Sequence, residues 1–151
     1  MLAAIFACYF LSFSSPVEAN SNWIGLYQDT HFRGLVQSLR DVKLQTCYNL
    51  LCDGVNNEVS SASWLGFAEK ASSDGLPQIT FFMDKDCAGS SQGYQASEAN
   101  YPSDFSVAGM DNKITSLIVY DRNVVDVDNT ETFCQGSTEL ARVGRVTKAT
   151  N

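Results

Sequence analysis

The chain has 151 residues, of which 44% are hydrophobic and 18% charged, a composition typical of one ordinary globular domain or two very small ones and not of a disordered protein. Its formal net charge is −7, and its lysines and arginines are scattered without forming a cluster. Phosphate contacts dominate nucleic-acid affinity, and anionic membranes also select basic segments, so neither is an expected partner of the mature chain. Cations are the partners expected for an acidic protein.

The chain begins with an apolar run, Leu2 to Phe13, that is too short to cross a bilayer as a helix. Small residues at Val17 and Ala19 form a plausible cleavage site, so we interpret residues 1–19 as a secretory signal peptide and the protein as secreted. The alternatives are a truncated gene model and a fragment of a membrane anchor, because no Lys or Arg precedes the apolar run.

Residues 22–67 contain a first group of predicted strands. Ile24 to Tyr27 is a short run of aromatic and β-branched residues, and Leu35 to Leu39 shows alternation of apolar and polar residues. Ser61 to Phe67 is predicted to be the last strand of this group. Between them, Leu44 to Leu51 is a longer and less regular stretch. Four short strands with a long connection before the last are what a Greek key requires.

A second group of predicted strands follows a polar linker at residues 68–76. It covers residues 77–120, with strands at Ile79 to Met83 and Thr115 to Tyr120 and an irregular stretch at Ala99 to Phe105. The two groups predict an all-β domain at residues 20–120, in which two tandem Greek-key motifs bury their inner faces as a sandwich. Residues 121–151 form a C-terminal extension with an alternating run at Val124 to Val127.

The two groups are copies of one repeat, aligned without a gap at an offset of 55 residues. Identities collect on glycines and small polar residues, which are the types that turns and oxygen-ligand sites require. The identical pairs are Ile24/Ile79, Asp29/Asp84, Gly34/Gly89, Gln37/Gln92, Gly54/Gly109, Asn57/Asn112 and Ser61/Ser116.

Cysteine usage agrees with secretion. Cys8 lies in the predicted signal peptide, which leaves Cys47, Cys52, Cys87 and Cys134 in the mature chain. An even number of cysteines in a small secreted chain predicts two disulfides, for which three pairings are possible. Free buried thiols are the alternative.

Tyr27 to Gly34 resembles the folded-hairpin signature of the βγ-crystallin superfamily, an aromatic residue, four residues and then aromatic-x-Gly. Asn56 to Ser61 and Asp111 to Ser116 resemble the superfamily's calcium-binding hexapeptide, Asn/Asp-Asn/Asp-x-x-Ser/Thr-Ser. The resemblance covers residues 22–120 and is of the microbial, calcium-binding type. It departs from the superfamily pattern at Cys87, where an aromatic residue is expected.

The resemblance implies two calcium ions per chain. Calcium takes six to eight oxygen ligands, and carbonyls, hydroxyls and Asn/Asp side chains all qualify. In the superfamily, the third position of the hexapeptide supplies a main-chain carbonyl and the fifth position supplies a side-chain hydroxyl. The first position contacts the ion directly or through water, and the hairpin of the opposite motif supplies another main-chain carbonyl. The implied ligands are Asn56, Glu58, Ser60 and Lys85 in one site, and Asp111, Lys113, Thr115 and Thr30 in the other.

The alternative is that both hexapeptides are ordinary turns, since Asn-Asn and Asp-Asn pairs favour turns and Ser/Thr pairs cap loops. The hydroxyls at both fifth positions favour calcium, because superfamily members that have lost calcium usually lack this hydroxyl. We expect modest affinity, near 10⁻⁴–10⁻³ M as in the weaker extracellular modules, because few ligands carry formal charge.

Cys87 stands where the superfamily keeps an aromatic residue, so a disulfide there could replace the lost packing. This leads to the hypothesis that Cys47 bonds Cys52 and that Cys87 bonds Cys134. The second bond would then strap the C-terminal extension across the second motif and stabilise it by roughly 4 kcal/mol.

Catalytic sites are not predicted. His31 is the only histidine, and an exposed position in the first hairpin is expected for it. Asp84 and Asp86 are predicted to be solvated turn residues, and neither is marked as a buried acid. The run that starts at Asp126 resembles an EF-hand loop only at its beginning, because Glu131 replaces the required glycine.

The sequence therefore predicts a secreted, monomeric, non-enzymatic calcium-binding protein with a structural or stress-related role. Fold does not determine function, and a secreted protease inhibitor or toxin-like effector is the alternative. An inhibitor needs a rigid exposed loop, and the predicted disulfide-closed loop from Cys47 to Cys52 is the candidate.

Overall fold

The computed structural model describes residues 22–67, 77–97, 100–121 and 125–134. The predicted signal peptide, the linker at 68–76 and the end of the chain lie outside these ranges. Within the described residues, no helix is long and apolar enough to cross a membrane. The secondary structure consists of β1 (Trp23–Asp29), β2 (Arg33–Arg40), β3 (Thr46–Asn49), β4 (Ser61–Leu65), β5 (Gln78–Phe82), β6 (Ser91–Gln95), a 3₁₀ helix (Phe105–Ala108), β7 (Ser116–Tyr120) and β8 (Asn129–Thr132).

The predicted strands are confirmed with small shifts at their ends, apart from the third strand of the second motif. Where that strand was expected, at residues 99 to 105, the described residues contain no strand and lead into the 3₁₀ helix. Asp104 caps this helix by accepting a hydrogen bond from the amide of Ser106 at 2.8 Å, and Gly109 ends it in the left-handed conformation. Phe105 is thereby directed into the core and is fully buried.

The strands form two sheets, in the orders β2-β1-β4 and β6-β5-β7-β3-β8. β3 belongs to the first motif in sequence but pairs antiparallel with β7 of the second motif. In the other direction, residues 102–105 of the second motif hydrogen-bond to the first motif, from Ala62 N to Pro102 O at 3.1 Å and from Phe105 N to Ser60 O at 2.9 Å. The predicted all-β sandwich of two Greek-key motifs is confirmed, and each motif lends its third segment to the other.

The core lies between the two sheets and is rich in aromatic side chains. Trp64, Phe81 and Phe105 are among its largest fully buried residues. Phe81 and Phe105 meet edge to face with ring centroids 5.0 Å apart, and Trp64 makes the same type of contact with Tyr101 at 5.0 Å. Each such side chain contributes about 1.5–3 kcal/mol by burial. Trp23, at the start of β1, is only half-buried.

The C-terminal extension adds a strand to the sandwich. β8 pairs parallel with β3 and so covers the edge that β3 would otherwise expose. Phe133 follows β8 and packs edge to face on Tyr48, while its amide donates to the carbonyl of Asn49 at 3.0 Å. Lys43 and Glu131 form an exposed ion pair at 3.0 Å. No strand was predicted in this extension, and β8 begins at Asn129, after the alternating run noted in the sequence.

Cys47, Cys52, Cys87 and Cys134 all form disulfides, but the hypothesised pairing is wrong. Cys47 bonds Cys87 with a Cα–Cα distance of 5.9 Å, and Cys52 bonds Cys134 at 5.5 Å. The reason is the exchange of β3, which places Cys47 opposite Ile118 of β7 in the second motif. β8 runs parallel to β3 and carries Cys134 to Cys52. The extension is therefore strapped to the first motif, and the loop from Cys47 to Cys52 is not closed by a disulfide of its own.

Candidate metal centre

The repeat places two similar hairpin loops at the same end of their strands. In the first loop, His31, Phe32 and Gly34 have positive φ angles of 59°, 60° and 67°. The corresponding residues of the second loop repeat this conformation, with φ angles of 59° at Asp86, 54° at Cys87 and 76° at Gly89. Two consecutive non-glycine residues in the left-handed region are uncommon and require support from the surrounding structure.

The support comes from the sixth residue of each hexapeptide, a role that was not predicted. The hydroxyl of Ser61 donates to the carbonyl of Asp29 at 2.6 Å and accepts from the amide of Phe32 at 3.1 Å. Ser116 makes the same two bonds, at 2.6 Å to Asp84 and at 3.1 Å from Cys87. The identity of the two serines in the repeat was the available signal.

Both serines are fully buried, and each fastens the hairpin loop of its own motif. The hexapeptides also contact each other across the boundary between the two motifs. Asn57 and Asn112, at the second positions, have φ angles of 59° and 52°. The amide of Asn57 donates to Ile114 O, and the amide of Asn112 donates to Val59 O, each at 3.2 Å. The two motifs are thus held together by a reciprocal pair of bonds.

The side chains follow the same reciprocal arrangement. The Ser60 hydroxyl lies 3.4 Å from the amide oxygen of Asn112, and the Thr115 hydroxyl lies 3.3 Å from that of Asn57. Each fifth-position hydroxyl is therefore matched with a second-position asparagine of the other motif. Neither asparagine was among the predicted ligands, although both were recognised as an identical pair in the repeat.

A solvent-open cavity of about 590 Å³ is lined in part by Ser60. Its lining residues come from the first hairpin, the first hexapeptide and the second hexapeptide: Gln28, Asp29, Thr30, Arg33, Glu58, Ser60 and Asn112. The cavity brings together two predicted ligands of one site, Glu58 and Ser60, with a residue that was assigned to the other site, Thr30. We refer to this group as the first-motif site.

This grouping of hairpins with hexapeptides differs from the one that the resemblance implied. Thr30 lies with Ser60 because the amide of Ser60 donates to the carbonyl of Tyr27 at 2.8 Å, beside the first hairpin. In the second motif, the amide of Thr115 donates to the carbonyl of Phe82 at 2.9 Å, and Lys85 belongs to the hairpin that follows. Each hairpin serves the hexapeptide of its own motif, and the asparagines are what cross between motifs.

The first-position residues of both hexapeptides carry an unpaired buried oxygen. Oδ1 of Asn56 and Oδ1 of Asp111 are buried and have no hydrogen-bond partner among the described residues. Buried polar atoms are rarely left without a partner in proteins, because each such atom costs about 1–3 kcal/mol. The two oxygens occupy the same position of the repeat, so both motifs offer a buried acceptor there.

The available donors are oxygens, which suits a hard cation such as calcium. The described residues contain no group of three or more His, Cys, Asp or Glu side chains that could hold a metal ion. A site here would instead use main-chain carbonyls, hydroxyls and amide oxygens. The residues present at both hexapeptides therefore fit calcium in chemical type.

The other candidates from the sequence are His31, Asp86 and the run that starts at Asp126. His31 is exposed, as expected, and its Nδ1 lies 3.1 Å from the hydroxyl of Thr30. Asp86 is clamped to Asn49 by two hydrogen bonds of 2.7 and 2.8 Å. Thr130 lies within β8, so the run from Asp126 does not form an EF-hand loop.

The carboxyl of Asp104 accepts hydrogen bonds from the hydroxyl and the amide of Ser106, which lower its pKa below the usual value. A smaller contribution in the same direction comes from the charge of His31. Asp104 is thus held in its ionised form as a helix cap. This environment favours a structural role and offers no raised pKa of the kind that a general acid needs.

Comparisons with known proteins returned matches among solved structures. No protein-family model matches the sequence, and no curated protein matches it significantly. A βγ-crystallin domain from Flavobacterium johnsoniae is 18% identical, with a TM-score of 0.44, and the alignment covers 67% of this chain and 97% of that one. A βγ-crystallin from Ciona intestinalis is 26% identical, with a TM-score of 0.41 and coverage of 64% and 96%.

A structure described under the evolution of the eye lens βγ-crystallin domain fold is 20% identical, with a TM-score of 0.46 and coverage of 67% and 87%. The architecture of this chain stands on its own strand order, its two folded hairpins and its exchanged third segments. With these features, the resemblance first seen in the hairpin and hexapeptide motifs is confirmed at the level of the fold, and the chain has a βγ-crystallin-like fold of two Greek-key motifs.

Proposed function

We propose that this chain is a secreted, calcium-binding domain with a structural role, in which two calcium ions and two disulfides stabilise a βγ-crystallin-like sandwich. The observation that carries the proposal is the reciprocal pair of hydroxyl–amide contacts, Ser60 with Asn112 and Thr115 with Asn57. Oxygen atoms at these positions are arranged twice by the same repeat, and each set draws on both motifs.

The first-motif site would hold calcium through the carbonyls of Thr30 and Glu58, the hydroxyl of Ser60 and the amide oxygen of Asn112. The second-motif site would use the corresponding atoms of Lys85, Lys113, Thr115 and Asn57. Asn56 and Asp111 would contribute their unpaired oxygens directly or through water. The lysine side chains are no obstacle, because only their carbonyls are ligands.

In this role, bound calcium links the two motifs electrostatically and takes no part in a chemical reaction. Each site takes oxygens from both hexapeptides, so a bound ion links the first motif to the second. A ligand that binds only the folded state raises stability by mass action, by about 2.7 kcal/mol when its concentration is a hundred times its Kd. The fold therefore supports a structural role in which calcium concentration sets stability.

Secretion is part of the proposal because the two disulfides are typical of oxidising compartments. Extracellular fluids also supply calcium at the millimolar levels that weak sites require. Expression of the full chain in a secreting host, followed by N-terminal sequencing of the secreted product, tests this part. Cleavage after Ala19 is expected, and retention of residues 1–19 in a membrane fraction would contradict it.

Calorimetric titration of the calcium-free protein tests the binding itself. We expect two ions per chain and a melting temperature that rises with millimolar calcium and falls with EDTA. Ser60→Arg and Thr115→Arg each remove a hydroxyl and insert a cation, so each variant is expected to bind one ion. Gln95→Arg is the matched control, because this exposed residue lies at the end of β6 away from the hairpin.

The control is expected to keep two ions. An absence of both heat and thermal shift at millimolar calcium would rule out the proposed function. Two ions bound by both site variants would show that the ligand assignment is wrong.

A further inference from the structure

The C-terminal extension covers a surface of the first motif that lies just after β3. Phe133 packs edge to face on Tyr48 with ring centroids 6.4 Å apart, and its amide donates to the carbonyl of Asn49 at 3.0 Å. The next residue, Cys134, is bonded to Cys52. The chain thus places one aromatic side chain and one disulfide over three residues of the first motif.

The equivalent surface of the second motif is open. At the offset of 55 residues, the three covered residues correspond to Ser103, Asp104 and Val107. All three line a solvent-open cavity of about 420 Å³, which we refer to as the open groove. Val107 is 88% exposed, the highest value among the exposed large hydrophobic side chains of the described residues.

The correspondence between the two surfaces holds in the structure as well as in the sequence. The amide of Leu50 donates to the carbonyl of Thr115 at 2.8 Å, and the amide of Phe105 donates to the carbonyl of Ser60 at 2.9 Å. Donors and acceptors of these two bonds are each related by the offset of 55 residues. The open groove therefore occupies, in the second motif, the position that Phe133 fills in the first.

Two tyrosine rings form a rigid wall of the open groove. Tyr101 meets Trp64 edge to face with ring centroids 5.0 Å apart, and its hydroxyl donates to the carbonyl of Trp64. Tyr94 contacts Phe81 of the core, with ring centroids 6.1 Å apart. Because core residues hold both rings in place, an occupant would bind them at little cost in side-chain entropy.

The main chain of the open groove is not arranged to pair with another strand. Pro102 has no N–H group, and its carbonyl accepts from the amide of Ala62 at 3.1 Å. The carbonyl of Ser103 accepts from the amide of His31 at 2.7 Å. An occupant would therefore be held mainly through side chains and not by the ladder that joins β8 to β3.

The charges beside the open groove differ from those beside β8. In the first motif, Lys43 forms an ion pair with Glu131 of β8 at 3.0 Å. The residue at the position corresponding to Lys43 is Glu98, which lies outside the described residues. Asn49 is likewise replaced by a carboxylate, that of Asp104. An occupant of the open groove is therefore expected to carry a cation where β8 carries Glu131.

None of the described lining residues of the open groove is a lysine or an arginine. The ammonium group of Lys113 is held beyond the end of the 3₁₀ helix, where it donates to the carbonyl of Gly109 at 3.1 Å. His31 acts on Asp104 through its charge. Histidine side chains are mostly neutral near pH 8, so measurements at that pH limit this contribution.

We infer that the open groove binds an extended segment of a partner protein, which inserts one aromatic side chain and places a lysine or arginine beside Asp104. The aromatic side chain would lie against Tyr94, Tyr101 and Val107, in the position that corresponds to Phe133. An apolar anchor in a preformed pocket supplies most of the affinity, and the neighbouring charge supplies specificity. Neither candidate calcium site takes part.

The probe for this inference is the capped pentapeptide Thr-Lys-Thr-Phe-Ser, which follows residues 130–133 with lysine in the place of Glu131. In a titration of the full, methyl-labelled chain near pH 8 and at low salt, we expect the methyl signals of Val107 and Ala108 to shift. Thr-Lys-Thr-Ala-Ser lacks the anchor and should bind about tenfold more weakly or worse. Thr-Glu-Thr-Phe-Ser should bind about two- to fivefold more weakly.

Two variants test the groove itself, with the Ala108 methyl as the signal. Val107→Asp should weaken binding of the lysine peptide about tenfold. Leu51→Asp is its matched control, because this residue is 46% exposed on the equivalent loop of the first motif, and it should leave the affinity unchanged. Asp104→Asn keeps a helix-capping side chain, and it should remove the preference for the lysine peptide over the glutamate peptide.

An absence of methyl shifts at Val107 and Ala108 with about 5 mM peptide, or equal affinities of the phenylalanine and alanine peptides, would overturn the inference. Shifts of the same signals on dilution of the peptide-free chain would identify a second copy as the occupant. A nuclear Overhauser contact between Val107 and residues 135–151 in the peptide-free chain would identify the chain's own end. Either result would also overturn the inference, and none of these outcomes bears on calcium binding.

Discussion

Removing the disulfide between Cys52 and Cys134 should destabilise the domain strongly. The bond closes a loop with a sequence separation of 82, for which chain entropy gives roughly 4.5 kcal/mol at 25 °C. The bond from Cys47 to Cys87 stays intact and shortens the connecting path to roughly 52 residues, which lowers the value to roughly 4 kcal/mol. We therefore expect Cys52→Ala/Cys134→Ala to lose about 3–4 kcal/mol of unfolding free energy.

Guanidinium unfolding followed by the fluorescence of Trp23 and Trp64 measures this loss. The melting temperature should fall by about 15–30 °C, given about 4–8 °C per kcal/mol for a domain of this size. The dependence of the unfolding free energy on denaturant should become steeper, because the unfolded chain expands when the bond is absent. The double serine variant is the control for side-chain contacts and should behave like the alanine variant. A loss under about 1 kcal/mol in both variants would refute the entropic reasoning.

Three further expectations concern the hairpin and the core. Ser116→Ala should cost about 1–3 kcal/mol in chemical denaturation, because the carbonyl of Asp84 and the amide of Cys87 lose their common, fully buried partner. A cost near zero would show that the serine does not stabilise the hairpin. Gly89→Ala should cost more than Gly54→Ala, since both have positive φ but only at Gly89 would an added Cβ clash with the Asp84 carboxylate. Equal melting temperatures of the two variants would contradict this. Burial raises the pKa of Tyr48, so its folded-state pKa lies above its unfolded-state pKa. Its contribution to stability is therefore present below about pH 10 and is lost as the pH rises through the folded-state pKa. Ultraviolet titration should show Tyr48 ionising at higher pH than exposed tyrosines, and ionisation at the same pH would contradict this.

Features confined to one motif were predictable from the sequence. The positive φ angles at Gly34 and Gly89 follow from glycine at equivalent positions before a polar turn. The closing strands β4 and β7 were located by their β-branched and aromatic residues. Both kinds of signal depend on residues close together in the chain, so no knowledge of the other motif was needed.

Features that join the two motifs were not predictable. All four residues of β3 are buried, so no alternation of buried and exposed residues marks the strand. Its two neighbours, β7 and β8, come from distant parts of the chain. β8 is mostly exposed and polar, and it lacks the hydrophobic residues that indicate a strand. The cysteine pairing depends on where these two strands lie, and spacing alone leaves all three pairings open.

The grouping of each hairpin with the hexapeptide of its own motif could not be predicted for a related reason. Carrying ligands over from a superfamily pattern supplies residue types and positions but not the register of β1 against β4. That register places Tyr27 opposite Ser61 and so brings each hexapeptide beside its own hairpin. The same geometry leaves Asn57 and Asn112 as the residues that reach across.

The order of the four cysteines along the chain has a consequence for proteolysis. Any single cut between Cys52 and Cys87 leaves Cys47 and Cys52 on one fragment and both of their partners on the other. Such a cut therefore converts the protein into two chains joined by two interchain bonds, and neither chain can diffuse away. On a non-reducing gel the cleaved protein would migrate close to the intact one, and only reduction would reveal the two fragments. A protein arranged in this way can lose the continuity of its backbone between the motifs and still remain one covalent molecule.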